Sequence, residues 1–204
     1  MDAITLSQIL LFVITLGVAI VTPGPAILAA SRSAAARGWR PTLPYALGLA
    51  FGASIWALAA AFGLTVVFRL LPQFYAAFKV AGGLYLLWVA VQLWRHADDP
   101  VVDDIRVARG PGFMAGFVLN ASNPKPALFY SAVLLTIFPM LHGIAGPLLI
   151  YAVALSVEIS FFLIVTALMA TGPVRRRYIA ASAWIDRIAA GLIGALGLSL
   201  IFRQ

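Results

Sequence analysis

The 204-residue chain is 63% hydrophobic and 10% charged, against roughly 45–50% and about 25% in an ordinary soluble domain, which excludes that class and points to a membrane protein. Its net charge of +7 comes without a basic stripe interleaved with aromatics, so a nucleic-acid partner is excluded as well. Cysteine is absent, which removes disulfides, thiolate metal sites and cysteine nucleophiles together.

Apolar stretches long enough to cross about 30 Å of hydrocarbon fall near residues 4–30, 43–68, 72–94, 112–138, 144–170 and 185–202. The first lacks a basic n-region and is too long for a signal-peptide core, so it is expected to be a transmembrane helix. Connections are short except for 95–112, which carries four Asp and three Arg. That stretch divides a single integral membrane domain into 1–94 (three helices), a linker at 95–111, and 112–204 (three helices). Basic residues gather in the odd connections: Arg32, Arg37 and Arg40, then Arg95, Arg106 and Arg109, then Arg175, Arg176 and Arg177. The even connections and the C-terminal tail hold only Arg69 and Arg203. By the positive-inside rule the odd connections, the linker included, are cytoplasmic and both termini face outward.

Shifting the chain by 101 residues superposes Pro23 on Pro124, Pro25 on Pro126 and Ala26 on Ala127. Three spans per half is an odd number, so the second half is expected to be inverted relative to the first, a plan common among secondary transporters. The expected fold is therefore all-α and polytopic, with six spans in two inverted three-helix repeats and the first and fourth spans broken at proline. Within each motif Thr22 or Asn123 is suited to be an N-cap, and the proline after it suits the first helical position. One reading of these Pro-x-Pro pairs is a simple kink. The other is a break that begins a half-helix, leaving free N–H groups that are tolerated at membrane depth only in protein or at a wet cavity. Such N-termini favour an anionic group such as a carboxylate.

Two charges stand well inside apolar spans. Lys125 lies between the prolines of the second motif and Glu158 near the middle of "LSVEISFF". Each is costly against lipid and is expected to face the protein interior. They are suited either to an inert buried contact with each other or with backbone, or to a site in which Lys125 attracts a carboxylate while Glu158 holds an ammonium group or carries a coupling proton. Asn120, Ser122 and Asn123 cluster beside Lys125, to satisfy the broken backbone or to touch a ligand. The candidate substrate-binding or coupling residues are thus Thr22, Pro23, Gly24, Pro25, Asn120, Asn123, Pro124, Lys125 and Glu158. Gly48 with Gly52, Gly112 with Gly116, and the "GLIGALG" run are small-residue patterns for close helix packing or a homodimer.

His96 and His142 are far apart in connections, so no metal site is visible and no cofactor is called for. No general base accompanies a serine, and enzyme function is not expected.

The stretch "TPGPAILAASRSAAARGWRPTLPYALGLAFGASIWALAAAFGL" resembles the N-terminal signature of the LysE/RhtB family of amino-acid exporters. In that signature a Pro-Gly-Pro is followed by a basic connection with glycine, here Arg37-Gly38, and a small-residue second span. "GFVLNASNPKPALFYSAVLLTIFP" resembles the family's second signature, built on Asn-Pro-Lys. The resemblance covers essentially the whole chain. It implies a permease of the cytoplasmic membrane that exports amino acids or close derivatives, driven by proton antiport. Pro23, Gly24 and Pro25 match the first signature and Asn123, Pro124 and Lys125 the second. Glu158 stands near a position where the family usually has Asp, while Pro41, Pro44 and Pro126 depart from the pattern. The implied partners are an amino-acid-like substrate, protons and the lipid bilayer. The alternatives are export of another small metabolite, or a channel or non-transporting membrane scaffold.

Overall fold

The computed structural model describes residues 4–22, 24–70, 75–98, 112–138, 141 and 143–202. Pro23, His142 and most of the 95–111 linker lie outside them. Among the described residues there are eight α-helices and no strand: α1 (Leu6–Val21), α2 (Pro25–Arg37), α3 (Trp39–Leu70), α4 (Tyr75–Arg95), α5 (Phe113–Ala121), α6 (Pro124–Ile137), α7 (Ala145–Met169) and α8 (Gly172–Phe202).

Among the described residues three segments are long and apolar enough to cross a bilayer, Trp39–Gly63, Ala145–Met169 and Gly172–Ser199. The bent pair α1 and α2, at 63°, makes a fourth if it is counted as one span. The outward faces are apolar too: Leu6, Leu10 and Ile14 recur every four residues along α1 and are exposed, as are Trp184, Ile188 and Leu192 along α8. Apolar stripes of that length need lipid rather than water against them.

The helix ends depart from the sequence expectation in two places. The first connection, expected at about 31–42, is almost wholly helical. α2 continues to Arg37, and Gly38 alone separates it from α3, with φ +83° and ψ 170°. A side chain is strained there, so the corner depends on glycine. Thr42 closes it by donating to the Gly38 carbonyl at 2.9 Å and lying 3.1 Å from the Ser33 hydroxyl, while the Arg37 guanidinium donates to that same hydroxyl at 2.6 Å. Likewise α8 starts at Gly172 instead of near 185, carrying Arg175, Arg176 and Arg177 within a helix. Arginine is a good helix former, so a run of it does not by itself stop a helix. Pro41 falls in the first turn of α3, where no N–H bond is required, whereas Pro44 lies inside the helix.

Between apolar helices in lipid the hydrophobic effect no longer drives association, so close packing must. Gly48 and Gly52 on α3 face α5 so closely that a Cβ would overlap the backbone carbonyl of Phe113 or Phe117 respectively. A Cβ on Gly116 of α5 would overlap the carbonyl of Tyr45. The paired glycines therefore form a seam within the chain. Gly112, expected to share in it, has open space around its Cβ position. A second seam joins α4 and α8, where a Cβ on Gly197 would stand 2.8 Å from the Gly83 carbonyl oxygen. The main core lies between these seams, where Phe12 and Leu16 of α1 meet Tyr130 and Leu134 of α6 and Ile150 and Ala154 of α7.

Candidate functional site

Both proline motifs break a helix, but not in the same way. At the second, Asn123 is the N-cap and Pro124 the first helical residue, as the sequence suggests. The Asn123 side-chain oxygen accepts from the Lys125 backbone N–H at 3.0 Å. At the first, the N-cap is Gly24 and Pro25 is the first helical residue, so the expected cap at Thr22 is not formed. The Thr22 hydroxyl turns back along α1 and donates to the Val18 carbonyl at 3.2 Å, a bond open to any threonine at a helix end. Gly24 has no side chain to replace it, and the α2 N-terminus has no side-chain cap. The amides of α2 are thus left to whatever occupies the space before them.

The prolines also expose free carbonyls, and these are met from neighbouring helices. Trp56 Nε1 donates to the Ala121 carbonyl at 3.0 Å, at the end of α5. Two further bonds brace the break without serving a freed carbonyl: Asn120 Nδ2 donates to the Leu49 carbonyl within α3 at 2.8 Å, and Asn123 Nδ2 to Asn120 Oδ1 at 3.4 Å. The Lys125 ammonium crosses to the other break, donating to the Thr22 carbonyl at 3.1 Å. One lysine therefore ties the two motifs together. Removing the cap at Asn123 is expected to cost about 1 kcal/mol. Thermal unfolding of Asn123→Ala in detergent should show that loss, and Asn123→Asp should restore most of it.

Glu158, on α7, is 2% exposed and accepts a hydrogen bond from the Tyr130 hydroxyl at 2.9 Å. No ion pair joins it to Lys125 among the described residues, so the direct contact considered from sequence is not formed. Instead the two face one cavity of about 50 Å³, whose wall also includes Thr22, Gly24, Asn120 and Asn123. At roughly 10–15 Å³ of such space per molecule, it has room for a few waters. Six of the sequence candidates are thus brought together. Pro25 lines a second cavity on the far side of Lys125. Pro124 serves as the first residue of α6, Ser122 is exposed, and Pro23 lies outside the described residues.

The wall also includes residues that were not candidate site residues from sequence, among them Tyr130, Phe129 and Phe162. Phe162 follows Glu158 by four positions and so shares its face of α7. Tyr130 carried a weaker signal, since a phenol buried in a span needs a hydrogen-bond partner. Glu158 was the acceptor available. Among the described residues no group of three or more His, Asp or Glu is placed to hold a metal ion.

Helices with apolar outer faces, a span broken at proline, and a lysine and a glutamate facing one internal cavity are features of a membrane protein of the translocating kind. The chain belongs to the LysE type translocator family, whose model matches residues 17–204. It is accordingly a transporter and not an enzyme. It is 30% identical over 193 residues to a threonine efflux protein of Salmonella typhi, covering 92% of this chain and 94% of that one. Identity to the threonine efflux protein of Escherichia coli K12 is 28% over the same shares. A homoserine/homoserine lactone efflux protein of Salmonella typhimurium is 28% identical over 116 residues, 55% of each chain. No solved structure matches the chain.

Proposed function

We propose that the protein exports amino acids or close derivatives across the cytoplasmic membrane by proton antiport. The observation that carries this reading is the placing of an amine, Lys125, and a carboxyl group, Glu158, on one cavity wall. Lys125 stands beside the uncapped N-terminus of α2, and Glu158 faces the same space from α7. A zwitterion has the complementary pair of charges. Its carboxylate would meet the Lys125 ammonium and the α2 amides, where a helix N-terminus also favours negative charge. Its ammonium would meet Glu158, which takes a proton when the substrate leaves, so that substrate and proton occupy the carboxylate in turn. The names of the threonine and homoserine efflux relatives agree with this substrate class.

The six-span inverted plan belongs to the same proposal, with 1–94 and 112–204 as the repeats and both termini outside. In it α1 with α2 is one broken span and α5 with α6 its counterpart. Its support is that matched helices pack against each other, α3 against α7 and α4 against α8, an arrangement that agrees with a two-fold axis between the halves. The site lies where the two broken spans meet, so rocking one half against the other would open it to each side in turn.

Protein reconstituted into vesicles with an imposed proton gradient provides the test. Accumulation of amino acid against its own gradient, lost when an ionophore collapses the proton gradient, is the expected result. Flux that continues downhill unchanged would instead indicate a passive channel. In Glu158→Gln, where the carboxyl can no longer change charge, uphill transport is expected to vanish. An uphill rate equal to wild type would remove Glu158 from the coupling step.

A further inference from the structure

Lys125 is a partition between two spaces. On one side lies the small polar cavity with Glu158 and Tyr130. On the other lies a cavity of about 310 Å³ between α4, α6 and α8. The two share Ala19, Thr22, Gly24, Lys125 and Phe129 as a common wall. The smaller has room for waters but not for an amino acid, and the larger has ample room for a side chain. Its far wall is built of Tyr85, Leu86, Trp88, Val89 and Ile193, with the Gln92 amide as a polar exception. Tyr85 and Trp88 stack at a tilt with ring centroids 5.8 Å apart, so the wall presents aromatic as well as branched aliphatic surface.

Resting on the amino-acid reading above, we infer that this larger cavity receives the substrate's side chain and favours large apolar ones, branched aliphatic or aromatic, over small hydroxylated ones. The occupant follows from what stands at the shared wall. Lys125 donates to the Thr22 carbonyl, and an ammonium has two further protons to offer a carboxylate approaching from either side. A substrate held there by its carboxylate has its α-carbon at the mouth of the larger space, and its side chain must go into it. A small side chain leaves most of the apolar wall without contact. A substrate lacking one methylene is discriminated against in such a pocket by about 10-fold or more. A site built to bind a hydroxyl instead would surround it with donors and acceptors, and this wall has only the Gln92 amide and the Tyr85 phenol.

Reconstituted vesicles loaded with labelled leucine, phenylalanine or threonine test this, with efflux followed under one proton gradient. Efflux of leucine or phenylalanine is expected to exceed that of threonine by about 10-fold or more at equal low concentration. Filling the cavity in Val89→Trp, or in Leu128→Trp on the same wall should the first fail to fold, should slow leucine and phenylalanine efflux more than threonine efflux and so reverse that order. Threonine efflux matching or exceeding that of the larger substrates in wild type would overturn the inference and leave the Lys125 site standing. So would a filled variant that slows all three alike or none, the latter being the outcome for a cavity occupied by an acyl chain. Wild-type vesicles that move no amino acid would overturn both the inference and the reading it rests on. If neither variant folds, competition between unlabelled leucine and threonine on the wild type decides the order.

Discussion

Lys125→Gln is expected to lower amino-acid efflux on the order of 100-fold, within the range seen when one partner of a buried charged contact is truncated. Glutamine keeps much of the length and can still donate to the Thr22 carbonyl that Lys125 reaches at 3.1 Å. The bridge between the two breaks therefore has a replacement, whereas the positive charge has none. This separates a binding role from a structural one. Loss of efflux with an unchanged melting temperature places the charge in substrate recognition. Equal loss of efflux and stability in Lys125→Gln and Lys125→Met would make it only a brace. Lys125→Arg is not expected to rescue, because the planar guanidinium needs more room than an ammonium and spreads its charge. Efflux rates normalised to protein in the vesicles, beside melting curves of the same preparations, provide the comparison. Wild-type efflux in Lys125→Gln would remove the residue from the site altogether.

The second large effect is on folding. Gly48→Val and Gly116→Val should prevent accumulation of folded protein, because each new side chain meets backbone on the facing helix. Overpacking of a core costs typically 1–3 kcal/mol when side chains can yield. Here the obstacles are the carbonyls of Phe113 and Tyr45, which cannot yield without separating α3 from α5. That separation would also strip Asn120 from the Leu49 carbonyl and Trp56 from the Ala121 carbonyl, exposing unpaired polar groups in an apolar medium. Gly112→Ala and Gly191→Ala are the controls, since a Cβ at either meets nothing within 4 Å. Size-exclusion profiles of the detergent-extracted variants check the result. A monodisperse Gly48→Val protein at wild-type yield would mean that the seam is not needed for folding.

Much of this was legible in the chain because proline and charge act locally. Asn123 before Pro124 announces a capped helix start, and the structure has it. Glu158 in an apolar run announces an inward-facing carboxyl, and it is buried. What remained hidden depends on geometry that spacing does not encode. Thr22 and Asn123 occupy matching positions, yet only Asn123 caps a helix. The Thr22 hydroxyl has a closer option in its own helix, and the following helix starts one proline later. Among similarly spaced glycines, Gly116 lies in the seam and Gly112 does not, which depends on the crossing of α3 and α5. The arginine-rich stretches at 32–40 and 175–177 read as connections because they interrupt hydropathy, although arginine does not interrupt a helix and in these two stretches only Gly38 does.

The single-residue corner at Gly38 has a mechanical meaning. Between it and the break at Pro25, α2 is a rod of 13 residues, about 20 Å long, held at its C-terminal end by that corner. A rod so held works as a connecting link: a tilt begun at the Gly24 end is handed on to the first turn of α3. Buried contacts among Arg37, Ser33 and Thr42 keep that joint from absorbing it. Since α3 is clasped to α5 along Gly48, Gly52 and Gly116, the tilt is conducted onward to the foot of α6, where Lys125 begins its reach back to Thr22. The run of contacts closes on itself, so the two breaks are joined twice, directly through Lys125 and by way of α3 and α5.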